Sequence, residues 1–169
     1  MDKNFICGDK YTISATNTIS LSVVLGNLPN EVTINGTKLL LKSSFHVSLV
    51  CINEIIKKHS ISIPGFIDSL INEFCDFVRE NDINVLNYLE DFRFAEEADQ
   101  KTIVIFCNVS KLKIFFELIN KKYNLNIEYP PTHVTLYTLL PGKLGIFLTD
   151  ADDIKNLTKP ISNPIWRTL

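Results

Sequence analysis

Glycine, methionine and tryptophan are scarce in this chain, at six, one and one of 169 residues. The sequence contains no glycine-rich phosphate loop, no His-Glu-x-x-His, no Asp-x-Asp-x-Asp-Gly calcium loop and no Gly-x-Ser-x-Gly elbow. The nucleotide-triphosphate, zinc-protease and serine-hydrolase chemistries that depend on those patterns are therefore not expected. Basic excess is also lacking: the net charge is −2 and the sequence pI about 5.9. That excludes the positive footprint that holds long duplex nucleic acid, and a small or short phosphorylated ligand fits better.

Cysteine is sparse and scattered. Cys7, Cys51, Cys75 and Cys107 form no Cys-x-x-Cys pair and no cluster at zinc spacing, so we expect reduced, mostly buried thiols and a cytoplasmic protein. Long apolar runs are missing as well. The first, residues 19–25, is too short and too interrupted for a signal peptide or a membrane span, so no membrane partner is expected. The acidic groups Glu96-Glu97 and Asp150 to Asp153 are explained by turn and helix-start duties, which leaves no metal site and no cofactor in view.

Only three histidines are present, and two of them sit in stretches that repeat one pattern: His46-Val47-Ser48-Leu49 and His133-Val134-Thr135-Leu136. Side chains alternate across a strand, so His46 and Ser48 share one face while Val47 and Leu49 line the other. His133, Thr135 and Tyr137 share a face in the second stretch by the same rule. Two such strands facing a groove bring two imidazoles and two hydroxyls around one phosphorus. His59 has Ile61 where a hydroxyl would be needed and reads as an exposed residue.

This doubled pattern resembles that of the 2H phosphoesterase superfamily, which carries two His-hydrophobic-Ser/Thr-hydrophobic motifs, over about residues 18–150. The resemblance implies an α+β fold, with two pseudo-symmetric lobes of antiparallel sheet and outer helices around a central groove. It further implies catalysis by His46 and His133 and phosphate binding by Ser48 and Thr135, without a metal. Tyr137, Lys42, Lys143 and Arg167 are further candidates for substrate contact. Family members act on cyclic phosphates and 2′-linked phosphodiesters of ribonucleotides. Three readings follow: hydrolysis of a 2′,3′-cyclic phosphate or a 2′-5′ linkage in a small or short ribonucleotide, degradation of cyclic or 2′-5′ oligonucleotide immune signals, and a non-catalytic nucleotide-binding module. Which imidazole is the base stays open.

The rest of the chain suits one bilobal domain over residues 1–169, expected as a monomer, with residues 1–17 a peripheral arm or an edge strand. Residues 18–26 read as a strand, and Asn35-Gly36 marks a hairpin whose second arm leads to His46. After Pro64-Gly65, Phe66, Leu70, Phe74 and Phe77 form a helical stripe. Residues 88–96 and 102–107 read as strands, the second apolar on both faces and hence central. Asn108 or Ser110 is positioned to cap a helix that buries Leu112, Phe115, Phe116 and Ile119. Leu144 to Thr149 reads as another strand, followed by a short helix with acids in its first turn.

Overall fold

The computed structural model describes residues 4–140 and 145–165. Among the described residues ten strands form one antiparallel sheet, in the order β1 (Asn4–Ile6), β2 (Tyr11–Ile13), β3 (Thr18–Val23), β6 (Phe45–Cys51), β9 (His133–Thr138), β8 (Gln100–Val109), β7 (Val85–Glu97) and β10 (Thr158–Ile161), with β5 (Thr37–Leu41) pairing β9 and β4 (Glu31–Ile34) pairing β5. Four helices complete an α+β fold. The two lobes expected from the resemblance are not set apart here, because the strands join into a single sheet.

Edge strands β1 (Asn4–Ile6) and β2 (Tyr11–Ile13) lead into β3 (Thr18–Val23). Residues 4–13 are thus the edge of the sheet, pinned through buried Tyr11, whose hydroxyl accepts from the Ile83 amide at 3.1 Å. Asn35 and Gly36 take positive φ angles of 50° and 76° and turn β4 (Glu31–Ile34) into β5 (Thr37–Leu41). Residues with φ above zero at both central positions are what a two-residue hairpin requires. β6 (Phe45–Cys51) then enters the middle of the sheet, followed by α1 (Ile52–His59) and α2 (Phe66–Glu80). Long β7 (Val85–Glu97) and β8 (Gln100–Val109) form a hairpin, α3 (Leu112–Tyr123) returns the chain, and β9 (His133–Thr138) inserts between β8 and the β5–β6 segment. Finally α4 (Ala151–Leu157) delivers β10 (Thr158–Ile161) to the edge of β7.

One face of the sheet carries the main core. The helical stripes land there as their spacing requires: Phe66, Leu70, Phe74 and Phe77 of α2, and Leu112, Phe115, Phe116 and Ile119 of α3, are all buried. Phe74 meets Tyr11 and Phe115 edge to face, with centroids 5.2 and 5.4 Å apart. On the opposite face a smaller cluster joins Ala95, Val104 and Phe106 to Ile146 and Leu148. Residues 145–149 carry that cover as an extended strap without strand pairing, so the strand expected from Leu144 to Thr149 is not formed over its described part. Its buried alternation comes from lying across a sheet face and not from joining the sheet edge.

Two local expectations also change. The α3 N-cap is Lys111, at φ 58°, with no side-chain cap hydrogen bond, because the Ser110 hydroxyl is occupied with the Asp82 carbonyl and the Asn84 amide. Cys7 and Cys75 are not free thiols: they form a disulfide that ties the β1–β2 turn to α2. Disulfides persist mainly in oxidising compartments, so this bond argues against the cytoplasmic placement expected from the scattered cysteines. Cys51 and Cys107 remain free, and burial pushes both thiols up to about 11, which keeps them protonated and unreactive. Among the described residues no helix is long and apolar enough to cross a membrane.

Candidate functional site

β6 and β9 are neighbours in the centre of the sheet, paired antiparallel through Val47 and Val134, both fully buried in the main core. Because side chains alternate, the residues on either side of that pair point to the opposite face. Counting outward, His46 falls beside Thr135 and Ser48 beside His133. The two imidazoles therefore occupy one diagonal and the two hydroxyls the other. Directly opposed side chains in an antiparallel pair stand roughly 5 Å apart and diagonal ones roughly 7–8 Å, a span that one phosphoryl group can bridge.

All four side chains line one cavity of about 370 Å³, with Lys42 also on its wall. The floor continues onto β3, where Ser20 pairs with Ser48 and Ser22 with His46. Opposite walls come from β2 with the turn after it and from Gly145, Ile146 and Phe147 of the strap. Nine serine or threonine residues line this space and no aspartate or glutamate does, so its ionisable groups among the described residues are Lys42, His46 and His133. Such a lining offers many hydrogen-bond donors and no anionic repulsion. Burial lowers the pKa of Lys42 below its ordinary value.

The two histidines differ in surroundings. His46 is exposed at the cavity mouth. His133 is only 8% exposed, packs its ring against Phe106 at 5.9 Å and places Nδ1 2.9 Å from the Pro131 carbonyl oxygen. A carbonyl can only accept, so Nδ1 carries the proton and Nε2 keeps its lone pair. Burial, the larger influence, pulls the His133 pKa below 6.5, partly opposed by the Pro131 carbonyl. The neutral ring thus stabilises the fold above pH 6.5, and that contribution is lost as the pH falls through the lowered folded-state value. We expect stability in denaturant to drop on acidification below pH 6.5, by at most about 1.4 kcal/mol per pH unit from this one proton. His133→Gln should flatten that part of the profile, as measured by urea midpoints between pH 7 and pH 5.

Of the further candidates, Lys42 joins the cavity, whereas Tyr137 does not. A register shift in the β8–β9 ladder, with Ile103 opposite Tyr137 but Val104 opposite Thr135, leaves Leu136 as an extra residue and turns Tyr137 to the core face. There it is 0% exposed, its hydroxyl donates to the Pro29 carbonyl at 3.0 Å, and burial raises its pKa to about 12. Lys143 and Arg167 lie outside the described residues. His59 is exposed and does not line the cavity.

Sequence reasoning missed Gly145. A Cβ there would stand 2.7 Å from the Thr135 hydroxyl oxygen, so only glycine lets the strap lie directly on that side chain. Gly145→Ala is expected to displace the Thr135 side chain or the strap itself, read as a change in the Thr135 methyl chemical shift. The strap is held at its far end by Lys58 of α1, which bonds Asp153 at 2.8 Å and also grips Asp150, the α4 N-cap. Among the described residues no cluster of three or more His, Cys, Asp or Glu is arranged to hold a metal ion. Comparison with protein-family models, with curated proteins and with solved structures gives no match.

Proposed function

We propose that this chain is a phosphodiesterase that opens a 2′,3′-cyclic phosphate or a 2′-5′ phosphodiester of a small or short ribonucleotide by two-histidine acid–base catalysis. One observation carries the reading: two His-x-Ser/Thr pairs, 87 residues apart in sequence, line one cavity that has no acidic side chain among its described residues. The resemblance to the 2H phosphoesterase superfamily rests on those same motifs. In this reading β3 and β6 with α1 and α2 form one half of the molecule and β8 and β9 with α3 the other, each half supplying one imidazole and one hydroxyl.

His133, with its Nδ1 proton held by the Pro131 carbonyl, acts as the base. Its Nε2 takes a proton from the attacking water while that oxygen bonds to phosphorus. His46, at the mouth, gives a proton to the departing ribose oxygen as the phosphorus–oxygen bond breaks. Each transfer contributes about 10²–10⁴-fold. Ser48 and Thr135 donate hydrogen bonds to the non-bridging oxygens and hold their charge in place through the displacement. The steps drawn here use no metal ion.

The test is incubation of the purified protein, with EDTA present, with 2′,3′-cyclic nucleotides, 2′-5′ oligoadenylate and cyclic oligonucleotides. Turnover that persists in EDTA supports the reading, and the preferred substrate separates general phosphodiester cleavage from removal of an immune signal. Tight binding of these nucleotides without turnover would replace the enzyme reading with that of a binding module.

A further inference from the structure

A second cavity, of about 320 Å³, lies on the same sheet face as the first, two strands along. His133 stands between the two. Its imidazole lines the first cavity, while its two fixed contacts, the Phe106 ring and Pro131, line the second. Neighbouring strands are about 4.8 Å apart, so the step from β9 to Arg93 on β7 is about 10 Å. A nucleoside attached to a phosphate at the imidazole pair covers that distance.

The second cavity has a chemistry opposite to that of the first. Among the described residues its charged groups are Asp91, Arg93 and Glu128, two anions and one cation, which disfavours another phosphate. Asp91 engages the Nε edge of Arg93 at 3.0 Å with a second contact at 3.4 Å. The guanidinium carbon lies over the Phe106 ring, 5.8 Å from its centroid. Charge on the arginine is thus answered locally, and Arg93, Phe106 and Tyr129 together line the cavity. Tyr129, 38% exposed, adds a second aromatic wall and is steadied edge-on by Phe116 at 6.4 Å. Glu128 accepts from the Ala151 amide at 3.5 Å and adds carboxylate acceptor capacity on the rim. Flat faces with carboxylate acceptors at the edge suit a nucleobase bearing an exocyclic amine, since bases stack on aromatic and guanidinium planes and donate through their amino groups.

We propose that this cavity binds the base of a second nucleoside, so that the substrate is a phosphodiester flanked by a nucleoside on each side. The proposal rests on the reaction assigned above and narrows it: the linear 2′-5′ linkage is favoured over the cyclic mononucleotide. In the bound state the phosphate sits between His46 and His133, one nucleoside occupies the hydroxyl-lined cavity, and the other reaches past His133 toward Tyr129.

The experiment compares 2′-5′-linked diadenylate with 2′,3′-cyclic AMP in the wild type, in Tyr129→Ala and in Glu128→Gln, both exposed positions. Stacking and amino-group contacts predict that the ratio of kcat/KM for diadenylate to that for cyclic AMP falls about tenfold in Tyr129→Ala, with the change carried by KM. Equilibrium dialysis of diadenylate should show the same loss of affinity. An unchanged ratio, or equal losses on both substrates, overturns the second site while leaving the phosphodiesterase reading intact. If the wild type turns over neither substrate, the reaction fails; dialysis then decides the site alone, with a tenfold difference between wild type and Tyr129→Ala sustaining it and equal affinities ending it.

Discussion

Alanine in place of His133 is expected to lower kcat by about 10²–10⁴-fold with little change in KM, and His46→Ala to do the same, because in the proposed mechanism each imidazole moves one proton in the displacement. The two variants should not be equivalent in their pH profiles. With His133 as the proposed base, kcat/KM should decline on the acid side below pH 6.5, because that ring must be neutral and burial lowers its pKa. Without it, that acid limb should disappear from the residual turnover. The double variant should be no slower than about the worse single one, since removing either partner already halts the coupled transfer. An assay of 2′-5′-linked diadenylate across pH 5 to 9 reads all three. Full activity in either single variant would remove the proposed chemistry.

The second large effect concerns stability. The Cys7–Cys75 bond closes a loop spanning 68 positions of sequence, and in the chain-entropy account a cross-link of that span stabilises by about 4 kcal/mol through the unfolded ensemble. Engineered and natural bonds often deliver less, so the double Cys7→Ser, Cys75→Ser variant is expected to lose about 2–4 kcal/mol, read as a shift in the urea midpoint. The same shift should follow reduction of the wild type by a thiol, since Cys7 is exposed at the β1–β2 turn. The variant should still fold, because Tyr11 and the β2–β3 pairing anchor that edge independently. A variant with an unchanged midpoint would show that the bond constrains nothing the rest of the edge does not already hold.

Much of this architecture is written in local patterns. The stripes of α2 and α3 bury the very residues their 3.6-residue period selects, and the two-faced apolar run of β8 sits in the interior of the sheet. Asn35-Gly36 turns where its backbone preference demands. The paired motifs reach one cavity because each obeys simple strand alternation between a core valine and its neighbours. Tyr137 escapes the same rule only because one extra residue at Leu136 reverses the faces, and nothing in the Thr135-Leu136-Tyr137 run announces a bulge. The disulfide could not be read for a different reason: partners 68 positions apart obey no spacing rule, and their approach depends on how β2 docks over α2. The strap at residues 145–149 looks like a strand because burial alternates in both settings; only the absence of a pairing edge distinguishes them. Gly145 gives no sequence signal, since its requirement is the space taken by Thr135.

The strands bearing the two motifs are joined to each other by one ladder pair, Val47 with Val134, while each is zipped along its other side by many more. Among the described residues that junction has the fewest paired positions in the sheet. A phosphate held from both sides would act as a stitch, so the amides of residues 46–48 and 133–135 should exchange with deuterated solvent more slowly when a nucleotide is bound. The energy of occupying the site would then also be energy that fastens β6 and β9 together.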